Sequence, residues 1–159
     1  GARDSLRTEA GLPLYGHEMG LGSIANVVGR GDPAPTMPTR DLGVAEGGFG
    51  SYVKTYKPWF IGRDAFVARE KERKGVVIRF TFDEQRTRMA HNGDPVVNAS
   101  GERIGFVTSC AIDGARFITG QAYVDLAYTK EGTPIGIHQG GVMDRPAGMA
   151  KVVSRFAKL

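Results

Sequence analysis

A mainly β fold is the architecture this sequence predicts: a small antiparallel Greek-key or jelly-roll-like barrel, entered through a short helix, a long Gly/Pro-rich loop and a second helix. The expectation rests on a change of apolar period. After Gly75 helical spacing gives way to alternation, and the β-branched and aromatic runs are short. Gly, Pro, Asn and Asp bound each run, and no helical stretch separates them. Parallel strands would need crossover helices, so the strands close on one another as antiparallel neighbours.

The elements follow in chain order. Residues 2–10 (ARDSLRTEA) are good helix formers stopped by Gly11, with Pro13 just beyond. Residues 20–48 read as a long loop, because Pro33, Pro35 and Pro38 each hold the preceding residue extended and the glycines supply flexibility. A second helix is predicted within 61–75 (IGRDAFVAREKERKG): Asp64 suits its first turn, and Ile61, Ala65 and Ala68 recur at helical spacing. Glu70 and Lys74 can pair one turn apart, the charged tail forms a solvated face, and Gly75 ends the helix. Strands are then expected in VVIRFTF, in the middle of NGDPVVNASGE, and in RIGFVTSCAI, FITGQAYVDLA, TPIGIHQ and AKVVSRF.

Composition narrows the classes. The 159 residues are 41% hydrophobic, enough for one ordinary globular core. Twenty-one basic residues against 17 acidic ones give a net charge of +4, scattered rather than clustered, which argues against a nucleic-acid partner. Cys110 is the lone cysteine, so no internal disulfide forms and a reducing, cytoplasmic setting is expected. No apolar run is long enough to span a bilayer, and no membrane association is expected. The chain starts without Met and directly in a helical pattern, as a piece cut from a longer polypeptide would.

Chemistry-bearing motifs are sparse. His17, His91 and His138 lack ligand spacing, so no metal site is expected, and Cys110 lies in an apolar run as a small buried hydrophobe. GLGSIA at 20–25, with Asp41 downstream, fits the dinucleotide fingerprint in letters only, because no strand precedes it and a proline-rich loop follows. Ser109 and Cys110 have no nucleophile elbow, and Asp83 and Glu84 read as a strand-end turn. No catalytic residue is assigned within the chain. The opening helix places Arg3 and Arg7 one turn apart, and spacing favours Arg7 paired with Asp4 and Arg3 facing water over a reading in which one guanidinium offers its fork of donors to an anionic or polar ligand.

Several motifs then occur together and in order. GARDSLRTEAGLPLYGHEM at the start, FIGRDAF at 60–66 and GERIGFVTS at 101–109 resemble successive stretches of the glycine cleavage T proteins, the aminomethyltransferases. GQAYV at 120–124 and AKVVSRF at 150–156 are also similar to that family. The resemblance implies a C-terminal portion: residues 1–58 as the tail of the folate-binding region and 59–159 as the family's C-terminal barrel. It implies transfer of an aminomethyl group from a lipoylated carrier (H) protein to tetrahydrofolate, with Arg3 as the folate-contacting residue and Arg7 in a structural pairing role. It places the catalytic acid in N-terminal domains outside this chain, so the chain alone is expected to be inactive. Departures are Ser51 where Trp is usual, Cys110 in place of Gly, and no proline before Phe156. They leave open a tetrahydrofolate-dependent demethylase of the same fold family, and a non-catalytic β-barrel interaction module.

Overall fold

In the computed structural model, which describes residues 1–27, 37–143 and 147–156, six antiparallel strands close into a barrel. The strands are β1 (Gly75–Phe82), β2 (Pro95–Val97), β3 (Arg103–Ile112), β4 (Ile118–Asp125), β5 (Pro134–Ile137) and β6 (Gly148–Val153). Their spatial order is β1-β4-β3-β2-β5-β6, with β6 closing on β1. The consecutive strands β2, β3 and β4 form a meander that returns β4 to the side of β1, the Greek-key arrangement. Closure leaves no long sheet edge unpaired. The mainly β expectation and its six strands are therefore correct.

Alternation along the strands builds two apolar regions. Ile78, Phe80 and Phe82 of β1 point into the barrel beside Val107, Val124, Ile135 and Ile137. The intervening Val77, with Phe106 and Tyr123, faces the outside, where it packs with Ile24, Val27 and Leu42. Phe106 and Tyr123 stack at 5.6 Å between ring centroids. β4 is consequently buried on both faces from Ile118 to Val124. Residues 20–27 and Leu42 form this outer cover, which corrects the expectation that the glycines of GLGSIA serve flexibility. Gly20 and Gly22 adopt φ of +82° and +84°, the left-handed turn conformation that glycine adopts at least cost. Asp41 is spent on the same turn, accepting from the Ser23 hydroxyl at 3.3 Å, and Pro33 and Pro35 lie outside the described residues.

Two helices flank the barrel. Helix α1 (Ala2–Glu9) ends in a Schellman motif: Gly11 N–H donates to Thr8 O and Leu12 N–H to Arg7 O, at 3.1 and 2.8 Å. Gly11 has φ +74°, and a Cβ there would run into the Arg155 carbonyl, so this position has two reasons to be glycine. Helix α2 (Arg63–Lys71) is shorter than predicted. Ile61 precedes it and is 90% exposed, so it does not belong to a buried helical face. Gly75 opens β1 rather than ending the helix, because a Cβ at that position would meet the Tyr123 ring and the Val124 carbonyl at 2.5 Å. Glu70 pairs with Arg73 at 2.7 Å, not with Lys74. Nor is the charged tail only solvated: Arg69 crosses to Glu46 and to the Asp41 carbonyl, tying α2 to the 41–46 loop.

Candidate functional site

The chemistry of the chain concentrates where α1 meets the barrel wall at β3 and β4. Arg3 and Arg7 sit one turn apart, yet their environments differ. Arg7 is buried at 8% exposure, whereas Arg3 is exposed and makes no hydrogen bond or ion pair among the described residues. Arg7 donates from Nε and Nη2 to Asp4, from Nη1 to Glu18 at 2.6 Å, and from Nη2 to the Ser109 hydroxyl at 2.8 Å. The expected Arg7–Asp4 pair is present, and it is one part of a larger clamp.

Glu18 is the centre of that clamp. Its carboxylate has no exposed surface and accepts four hydrogen bonds. Oε2 takes Arg7 Nη1 and the Leu14 N–H at 2.8 Å, while Oε1 takes the hydroxyls of Thr108, at 2.7 Å, and Ser109. Consecutive residues of a regular strand point to opposite faces. Here a bulge in the β3–β4 register between Val107 and Ser109 breaks the alternation, and Thr108 and Ser109 both reach one carboxylate oxygen. The Thr108 carbonyl also accepts from Asn92 at 3.0 Å and lies 3.3 Å from His17 Nδ1, so the bulge is held from both sides. Gln121, buried on β4, donates to the Leu12 carbonyl at 2.8 Å just past the end of α1.

Neither Glu18 nor the Thr108–Ser109 pair stands out in spacing, because they lie 90 and 91 residues apart along the chain. A carboxylate in GLPLYGHEM carries no local sign of burial. No group of three or more His, Cys, Asp or Glu side chains among the described residues could hold a metal ion. No helix among them is long and apolar enough to cross a membrane.

Cys110 follows the clamp on β3, half-buried against the barrel core. Burial pushes its thiol from an ordinary 9.0 up to about 11, which keeps it neutral and poorly nucleophilic. A thiol reagent at pH 8 is expected to react with Cys110 only as the chain unfolds. The unfolded thiol ionises first, so the stability this group contributes is whole below about pH 9 and is lost as pH rises to about 11. Replacing Cys110 with Ala should flatten the alkaline fall in stability measured by denaturant titration across that window. An unchanged slope would reject the assignment.

Together these features define a class: a Greek-key barrel whose wall clamps a short helix through one buried carboxylate and leaves a neighbouring arginine in solvent. Comparison with known proteins places that class. The chain is 33% identical over 139 residues to an aminomethyltransferase of Alkaliphilus metalliredigens, covering 86% of this chain and 32% of the relative. It is 35% identical over 147 residues to the aminomethyltransferase of Alkaliphilus oremlandii, with the same two coverages. The crystal structure of glycine cleavage system aminomethyltransferase T from Bartonella henselae superposes with a TM-score of 0.68 at 23% identity. That match covers 96% of this chain and 37% of the other, and it establishes the shared fold. No family profile matches the chain. The chain is a homologue of the aminomethyltransferase family, corresponding to its C-terminal barrel region. It spans about a third of the length of these relatives.

Proposed function

We propose that this chain works as the C-terminal part of a tetrahydrofolate-dependent aminomethyltransferase, with residues 1–58 completing the folate-binding region and 59–159 forming the supporting barrel. The observation that carries this reading is the contrast between the two arginines of α1. Arg7 spends its donors on Asp4, Glu18 and Ser109, while Arg3 stands exposed with its donors uncommitted among the described residues. An uncommitted guanidinium on an anchored helix suits a carboxylate or polar edge of a folate, which it can meet with two parallel N–H donors. When bound, tetrahydrofolate accepts the one-carbon unit, and in this chain Arg3 would hold and orient it. The donor would be an aminomethyl group on the lipoylated carrier protein, in a cytoplasmic enzyme whose reacting acid lies in another part of the polypeptide.

The test is tetrahydrofolate affinity by calorimetry in the intact protein, with and without Arg3→Ala. The expected loss is about 1 to 3 kcal/mol, the worth of a hydrogen bond to a charged group. Unchanged affinity would remove Arg3 from the site. Assays with an aminomethyl-lipoyl carrier and a methylated small molecule, side by side, decide between transferase and demethylase. Turnover of the methylated donor alone would replace the aminomethyl reading.

A further inference from the structure

We propose that Glu18 is a positioning residue for folate, acting on Arg3 through Arg7 and the pitch of α1. The inference rests on the reading of Arg3 given above and adds to it the residue that aims the guanidinium. Helix α1 has eight residues and no side-chain cap at its N-terminus, too little to hold a fixed direction by itself. Arg3 and Arg7 lie on the same side of this helix, so a contact that fixes the rotation of Arg7 fixes that of Arg3 as well.

Glu18 supplies that contact from outside the helix. It joins Arg7 of α1, the Leu14 N–H of the following turn, and Thr108 and Ser109 of the barrel in one buried group. Asp4 cannot do the same. It belongs to α1 and moves with it, and its side chain is 46% exposed. Ser109 is the second anchor, because its hydroxyl accepts from Arg7 and donates to Glu18. The barrel bulge is thus the fixed frame, and Glu18 transfers its position to the helix.

A double-mutant cycle in the intact protein tests this. Glu18→Gln keeps the shape of the side chain, and Ser109→Ala, a milder change, serves if the first variant folds poorly. Each is combined with Arg3→Ala, and tetrahydrofolate affinity is read by calorimetry. Each is expected to weaken binding roughly tenfold when Arg3 is present and to have little further effect in the Arg3→Ala background, as expected for residues coupled in one network. Amide exchange in α1 should rise by a larger factor than exchange in β3 and β4. Equal losses in both backgrounds, or no loss in either, would overturn the positioning role while leaving Arg3 in the site. If Arg3→Ala by itself leaves affinity unchanged, the folate reading and this proposal fall together.

Discussion

Glu18→Ala is expected to destabilise the chain by about 3 to 5 kcal/mol, the range for removing one partner of a buried ion pair. Total stabilities of single domains are about 5 to 15 kcal/mol, so a large share of the folding free energy would go. Removing the carboxylate leaves Arg7 buried with only Asp4 and Ser109, and strips the Leu14 N–H of its acceptor. The Thr108 hydroxyl retains the Gln121 carbonyl at 3.0 Å and suffers less. Denaturant unfolding followed by near-ultraviolet circular dichroism measures the loss. The double variant Arg7→Met with Glu18→Leu should lose less than the sum of the two single changes, because it leaves neither charge stranded. A loss below about 1 kcal/mol for Glu18→Ala would put the pair in the range of exposed salt bridges and refute the clamp.

Gly105→Ala is expected to cost at least about 4 kcal/mol, in the extreme range for a single substitution. Gly105 pairs with Val124 across the β3–β4 ladder. A Cβ there would overlap the Tyr123 carbonyl oxygen, with Tyr123 C and Val124 Cα at 2.9 Å. All three atoms are backbone, and in a closed barrel neither strand can move without opening the ladder on its far side. Expression of the variant as soluble protein with native circular dichroism would contradict this. Gly114→Ala is the control. Its nearest neighbour would be the flexible Glu9 carboxylate at 3.5 Å, and a change within about 1 kcal/mol is expected.

The barrel was legible in the chain because its strands declare themselves locally. The sequence run RIGFVTSCAI coincides with β3, and VVIRFTF covers β1 except for its opening glycine. Period-two burial is imposed by neighbours along one strand, so no distant residue is needed to see it. Helix boundaries were less legible. Ile61 fits a helical period by spacing but stands exposed ahead of α2, and Gly75 has a reason to be glycine that lies across the sheet, at Tyr123. The assignment of Arg3 to folate came only through resemblance to a family. Spacing alone pairs Arg7 with Asp4 and leaves Arg3 facing water, as the structure has them, but it gives no sign that Glu18, whose partners are scattered along the chain, buries Arg7.

By itself, then, the sequence determined the barrel class, the order of its strands along the chain, the opening helix and the family to which the chain is related. Tertiary structure alone decided which glycines are steric necessities, that residues 20–27 cover the outer face of β4, and that Arg7 is buried against Glu18 and Ser109. The division has a physical cause. Periodicity and turn chemistry act over a few residues, whereas the fate of a charge depends on what the closed barrel brings beside it, and a bulge at Thr108 brings two hydroxyls to one carboxylate.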